Sequence, residues 1–102
     1  MFVHIVFWRL LDIGENGLTK VENGLEIRRR FEALRGRIPG MQRCEVGVNV
    51  DPSPDAADLV LYTEFDSAEA FAGYPPHPLH REIVAFLKGV RTERRVVDYE
   101  HP

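Results

Sequence analysis

The residues with the greatest chemical potential lie in one short segment, YPPHPLH, at positions 74–80. This segment holds a phenol and two imidazoles, Tyr74, His77 and His80, among three prolines. Proline fixes its own φ angle and keeps the preceding residue out of the helical region, so Tyr74 and His77 are both expected in extended backbone. The segment is either a rigid corner that happens to contain rings, or a corner that directs them toward a common site.

His80 is the strongest candidate for acid–base chemistry in this corner. Pro78 suits the first turn of a helix, which places His77 at the N-cap and His80 in that same turn. The positive end of the helix dipole disfavours an imidazolium, so His80 is expected to be neutral near pH 7 and able to accept a proton. His77 is sufficiently explained as the helix cap.

A second histidine, His4, lies on the same face of an N-terminal strand as Val6 and Trp8. If helices cover that face, Tyr74, His80 and His4 converge on one apolar cavity. A base and a hydroxyl donor in such a cavity can remove a proton next to a carbonyl and stabilise the enolate. The expected ligand-binding residues are His4, Val6, Trp8, Leu59, His77, Ile83, Val84 and Leu87. Structural roles stay open, since strand histidines are often core residues and a tyrosine before Pro-Pro is often a packing residue.

A metal site is not predicted. His77 and His80 are three residues apart, but Pro78 prevents His77 from lying inside the helix, and no cysteine or acidic cluster supplies further ligands at a recognisable spacing. No cofactor is expected.

The composition predicts one domain over residues 1–102, with 44% hydrophobic residues for a single core. The net charge of −3 disfavours nucleic acid and anionic membranes as partners.

Cys44 has no partner for an internal disulfide and is expected to be a buried core residue of a cytoplasmic protein. The apolar N-terminus is interrupted at His4 and Arg9, which predicts neither a membrane span nor a signal peptide.

Periodicity and turn residues divide the chain into alternating elements. Strands are predicted over 2–10, 44–50, 59–65 and 94–99. A helix begins at the Thr19–Glu22 capping box and ends between Gly36 and Gly40, and a second begins at Asp66-Ser67, breaks at the corner and resumes from Pro78. The first helix carries apolar residues at helical spacing, namely Val21, Leu25, Ile27, Phe31, Leu34 and Ile38.

The resulting β-α-β-β-α-β order predicts a ferredoxin-like α+β protomer, with a four-stranded antiparallel sheet and helices on one face. The first strand is apolar on its second face too, at Val3, Ile5 and Phe7. Two such sheets packed face to face would form a dimeric α+β barrel, so a homodimer is expected. An RNA-recognition module has the same order but is disfavoured, because LVLYTEF lacks the glycine and basic residues of its third strand.

Four segments resemble the stress-responsive A/B barrel (Dabb) family: VHIVFWRL at 3–10, LRGRIPGMQRCEVGVNV at 34–50, DLVLYTEFDSAEAFAGYPPHPLH at 58–80 and RRVVDYE at 94–100. The resemblance covers nearly the whole chain. It implies the same architecture, a ferredoxin-like protomer paired into a dimeric α+β barrel.

The Y-x-x-H-P-x-H pattern is similar to that of the family's polyketide (olivetolic acid) cyclase branch, which closes a ring by aldol condensation without a cofactor. The resemblance implies Tyr74 and His80 as the catalytic pair and His4 as a pocket residue. The cyclases also carry a third-strand histidine where this chain has Leu59, and the doubled proline after Tyr74 replaces apolar residues of that branch.

The leading hypothesis is a Dabb homodimer that binds a small apolar or carbonyl-bearing ligand between sheet and helices, with cofactor-independent cyclase or lyase chemistry at Tyr74 and His80. Two alternatives stay open: a non-catalytic stress-response dimer, and a cofactor-free monooxygenase of the related dimeric barrels.

Overall fold

The computed structural model describes residues 1–102 and has the predicted β-α-β-β-α-β order, with the second helix divided in two. The elements are β1 (Phe2–Leu10), α1 (Lys20–Glu32), β2 (Met41–Val48), β3 (Leu59–Phe65), α2 (Ala68–Ala72), α3 (Pro78–Lys88) and β4 (Arg91–Glu100). The first and third strands have the predicted bounds. The fourth begins three residues earlier than Arg94, directly after the turn that ends α3.

The four strands form one antiparallel sheet in the order β2-β3-β1-β4. β1 therefore lies in the interior of the sheet and β4 at its edge. The register places His4 opposite Thr63 of β3 on one side and Asp98 of β4 on the other. Residues from the two ends of the chain are thereby brought side by side.

β1 has two apolar faces, as its sequence predicts. Val6 and Trp8 are buried beneath the helices, whereas Phe7, on the opposite face, is 39% exposed. Val97 and Tyr99 of β4 are also exposed, and their register with Ile5 and Val3 puts them on that same open face. No helix of the structure is long and apolar enough to cross a membrane.

α1 begins with the predicted capping box, in which Thr19 and Glu22 each accept a hydrogen bond from the other's backbone. The face of α1 that packs on the sheet differs from the prediction. Ile27 and Phe31 are buried, but Val21 and Leu25 are 71% and 55% exposed. The predicted buried face was wrong at the start of the helix. Asn23 and Gly24 lie one turn before Ile27, so these two residues, rather than Val21 and Leu25, share its buried face.

Two caps and a glycine set the path of the chain around the corner. Ser67 caps α2, and His77 caps α3 by accepting a hydrogen bond at Nδ1 from the Leu79 backbone N–H, 3.1 Å away. Gly40 has a φ of +78°, and a Cβ placed on it would lie 2.5 Å from the Cβ of Ala70. Only glycine both adopts this backbone conformation and lets α2 approach so closely.

Candidate active site

The corner between α2 and α3 holds Tyr74 and His80 against each other. Their ring centroids are 4.3 Å apart, and the Tyr74 side chain is fully buried against Phe65. The Nδ1 of His80 lies 3.0 Å from the Pro75 carbonyl oxygen. The backbone of the corner thus fixes the orientation of the imidazole that follows it.

This contact determines which nitrogen of His80 carries the proton. A carbonyl oxygen only accepts hydrogen bonds, so Nδ1 is the donor and Nε2 of the neutral ring is left as a free acceptor. Burial lowers the pKa of His80 below its ordinary value; the Pro75 contact opposes this, and the positive charge of Arg94 adds to it. His80 is therefore neutral near pH 7 and able to act as a base.

His4 is anchored in the same manner by a different partner. Its Nδ1 lies 2.5 Å from Oδ1 of Asp98, which is directly opposite on β4. The carboxylate accepts a hydrogen bond from the Nδ1–H group of His4, which leaves Nε2 of the ring without a partner. Burial lowers the pKa of His4, with Asp98 opposing the shift and Arg94 reinforcing it.

Both histidines line one cavity of about 270 Å³ between the sheet and α3. Its walls are otherwise apolar, except for two arginines at the start of β4. The full lining is His4, Val6, Trp8, Phe31, Leu61, His80, Val84, Leu87, Arg91 and Arg94. The structure therefore brings together His80 and five residues predicted for ligand binding: His4, Val6, Trp8, Val84 and Leu87.

Three other residues predicted for ligand binding lie elsewhere. Leu59, the first residue of β3, is opposite Trp8 and lines surface depressions beside Val48. Leu61, two residues further along the strand, lines the cavity instead. Ile83 faces a groove between α1 and α3, because residues 80, 84 and 87 form the stripe of α3 that faces the cavity. His77 is the cap of α3 and does not line the cavity.

Sequence reasoning missed Phe31 and Leu61 in the lining, the two arginines, and Asp98. The arginines and Asp98 belong to β4 (RTERRVVDYE), in which charged and apolar residues do not alternate. Asp98 is paired with His4 by the register of β4 against β1, which the antiparallel order of the strands alone does not fix. Phe31 and Leu61 carry no chemical signal that separates them from other core residues.

The comparison with known families bears on this site and on the fold around it. The Stress responsive A/B Barrel Domain (Dabb) matches residues 2–101 of the chain. The chain belongs to the Dabb family. None of the curated protein sequences matches it at a significant level.

Solved structures of the same fold include proteins of several kinds. A dimeric ferredoxin-like protein of unknown function from Bacteroides fragilis is 31% identical, with 98% of this chain and 95% of that one covered and a TM-score of 0.79. A dimeric ferredoxin-like protein from Thermobifida fusca is 20% identical, covering 96% and 88% at a TM-score of 0.80. The hydroxynitrile lyase of Passiflora edulis is 20% identical, covering 96% and 90% at a TM-score of 0.76.

Two buried donors beside the cavity of this Dabb protein have no hydrogen-bond partner: the Tyr74 hydroxyl and Nε1 of Trp8. Burial raises the pKa of Tyr74 well above its usual range, so the phenol keeps its proton and can donate a hydrogen bond. Tyr74 does not itself line the cavity and lies behind His80. Unsatisfied buried donors are uncommon, and a bound acceptor is one explanation for them.

Cys44 is not a nucleophile in this Dabb domain. It is buried, its thiol donates to the Phe31 carbonyl at 3.3 Å, and burial raises its pKa to about 12. This confirms its predicted place in the core. No group of three or more His, Cys, Asp and Glu side chains is close enough to hold a metal ion.

Proposed function

We propose that this Dabb protein binds a small apolar ligand with a carbonyl group between the sheet and α3, and performs cofactor-independent acid–base chemistry of the cyclase or lyase type. The observation that carries the proposal is the shared anchoring of the two histidines. His80 and His4 are each bound through Nδ1, to Pro75 and to Asp98, and each therefore offers a free Nε2 in one largely apolar cavity.

In the proposed reaction His80 is the base. Its Nε2 takes a proton from the carbon next to the ligand carbonyl, and the electron pair of that C–H bond forms an enolate. The Tyr74 hydroxyl has no hydrogen-bond partner and lies behind His80, so it donates to the enolate oxygen once the His80 ring shifts to let the ligand reach it. His4, held by Asp98, orients the ligand.

Ring closure follows if the ligand has a second carbonyl group. The enolate carbon bonds to that carbonyl carbon, whose oxygen takes up the proton from the His80 imidazolium, so that the neutral base is regenerated. The reverse sequence, in which a carbon–carbon bond is broken, is a lyase reaction. The hydroxynitrile lyase of this fold supports the lyase side of the proposal by analogy of fold alone.

The test is catalysed exchange of carbon-bound protons, which needs no knowledge of the natural ligand. Phenylacetone in D₂O is the probe, and ¹H NMR follows loss of its protons next to the carbonyl. We expect saturable acceleration by the wild-type protein. His80→Gln should lower the enzyme-dependent rate by roughly 10²-fold or more, the usual contribution of a general base.

His77→Asn is the matched control, because asparagine is also a good helix N-cap and His77 lies outside the cavity. Its exchange rate should equal that of the wild type. Equal rates for His80→Gln and wild type would refute the role of His80.

Ligand binding without turnover is the second candidate. It is favoured by one observation: Tyr74 lies behind His80 and is not part of the cavity lining. Under this hypothesis phenylacetone binds but its protons exchange at the uncatalysed rate, in wild type and in His80→Gln alike.

We further propose that the protein is a homodimer formed through the open face of the sheet. Support comes from the exposed apolar side chains of Phe7, Val97 and Tyr99 on that face, and from the dimeric relatives. Light scattering after size exclusion should give a dimer for wild type and a monomer for Phe7→Glu. The same change at Val21, 71% exposed on the helical side, should leave the dimer intact.

A further inference from the structure

Two arginines of the cavity lack a counter-charge. Arg91 and Arg94 line it together with His4 and His80. No carboxylate lies within 4.0 Å of either guanidinium: Glu93, between them on the strand, pairs with Arg9, and Asp98 is bound to His4.

Most other arginines of the chain behave differently. Six of them form ion pairs with acidic side chains: Arg9, Arg28, Arg29, Arg30, Arg35 and Arg43. Arg37, Arg81 and Arg95 also lack an acidic partner, but they are exposed and lie outside the cavity. Arg91 and Arg94 are therefore the unpaired cations that a ligand in the cavity would meet.

Besides the arginines, the polar groups of the cavity are the Trp8 indole, which is a donor, and the neutral imidazoles of His4 and His80. Trp8 is 3% exposed, and its indole N–H has no acceptor. Arg94 is close enough to both histidines for its charge to depress the pKa of each, in addition to the larger effect of burial. The site thus presents positive charge and unsatisfied N–H groups beside apolar walls, and its complement is an acceptor-rich anion with an apolar body.

We propose, building on the acid–base function above, that the ligand is a small carboxylate with an apolar body and that Arg91 and Arg94 bind its carboxylate group. Arg94 is exposed and Arg91 half-buried, which puts the charged group at the solvent side of the cavity. The apolar body then lies deeper, against Val6, Phe31 and Leu61.

The shape and the donors favour a carboxylate over a phosphate. Guanidinium groups bind both carboxylates and phosphates with two parallel hydrogen bonds, so the other donors of the site decide between them. Phosphate sites usually add backbone N–H donors from a helix N-terminus. Here the first turn of α3 offers at most the N–H of His80, because Pro78 has no N–H and those of Leu79 and Arg81 are bound to His77. A cavity of about 270 Å³ is near the lower end of ligand sites, which fits a body of about one ring.

The test uses Trp8, the single tryptophan of the chain, as the reporter of binding. Its fluorescence is titrated with 3-phenylpropionate and with 3-phenylpropionamide, which differ only in the charged group. Wild type should bind the carboxylate roughly tenfold or more tightly than the amide. The Arg91→Gln/Arg94→Gln double variant should bind the two equally, with unchanged affinity for the amide as evidence that the cavity is intact. Arg37→Gln/Arg81→Gln, which removes the same two positive charges outside the cavity, should keep the preference.

Equal affinity of wild type for the two compounds would overturn the proposal, as would a preference that survives in the double variant or tighter binding of 2-phenylethyl phosphate. Binding of neither compound would overturn it too. None of these results decides the acid–base function, which rests on proton exchange in the uncharged phenylacetone. Conversely, a carboxylate preference without exchange would support the anion site and refute the chemistry.

Discussion

The rings of Tyr74 and His80 lie 4.3 Å apart, and the carbonyl that orients His80 belongs to Pro75, the residue that follows Tyr74. Ring packing and hydrogen bonding therefore fix His80 from the same short segment. Pro75 and Pro76 stiffen the backbone between the two rings, and Phe65 of β3 packs against Tyr74.

Replacing Tyr74 with phenylalanine should change stability and activity in opposite directions. The substitution removes a buried hydroxyl that has no hydrogen-bond partner and keeps the ring packed against Phe65. The free energy of unfolding in urea should stay level or rise by up to about 1 kcal/mol, since an unsatisfied buried polar group is unfavourable. Exchange of phenylacetone protons should fall by about 10² if the hydroxyl stabilises the enolate. A variant that loses stability and keeps full activity would show that the hydroxyl has a structural role.

Stability should decline as the pH falls below about 6.5. His4 and His80 both have pKa values lowered by burial, so the unfolded chain binds more protons than the folded one just below the ordinary histidine value. Their contribution is complete above that value and is lost as the pH falls through the folded pKa. The groups that face them are Tyr74, His77, Arg91, Arg94 and Asp98.

Urea denaturation at pH 7.5, 6.5 and 5.5 measures this dependence. His80→Gln should flatten the decline, because one of the two responsible groups is gone. A slope that His80→Gln leaves unchanged would assign the pH dependence to other groups.

Cys44 should resist thiol reagents in the folded protein. Its side chain is buried and its pKa is raised to about 12, so very little thiolate forms at pH 8. Ellman's reagent should label the native chain slowly and the urea-unfolded chain at once. Fast labelling of the native protein would mean that the contact of α1 with β2 opens readily.

Gly40→Ala should destabilise the protein more than Gly17→Ala. Both glycines have positive φ angles, +78° and +81°, so both substitutions carry the same backbone strain. Only at Gly40 does the new methyl group also collide, with Ala70 of α2, whereas Gly17 has open space around it. We expect an additional loss of about 1–3 kcal/mol at Gly40 in urea denaturation. Equal losses would show that α2 shifts at no cost.

The fold could be read from the sequence because each element carries its own local signal. The β-branched and aromatic residues of β1, the capping box at Thr19 and the proline after His77 act within a few residues of the structure they specify. The buried face of α1 could not be read in this way. Asn23 and Gly24 occupy it, and neither residue is apolar enough to mark that side of the helix.

The site was predictable where it depends on the corner and unpredictable where it depends on strand pairing. His80 follows from the helix start at Pro78, and His4 from its face of β1. Asp98 and Arg94 belong to the site only through the register of β4 against β1, which no local pattern specifies. Leu59 was predicted to line the cavity, but Leu61, the next residue on the same face of β3, lines it instead.

The hydrogen bond between His4 and Asp98 spans 94 positions of the chain. During synthesis, His4 leaves the ribosome well before Asp98 and must wait for most of this domain before its anchor exists. Contacts between distant residues also form slowly after the chain is released. A chain truncated before β4, or one in which this edge strand detaches, would keep its corner and its base but would have neither the second oriented imidazole nor the two arginines. Any chemistry at this cavity is thereby restricted to molecules that have finished folding.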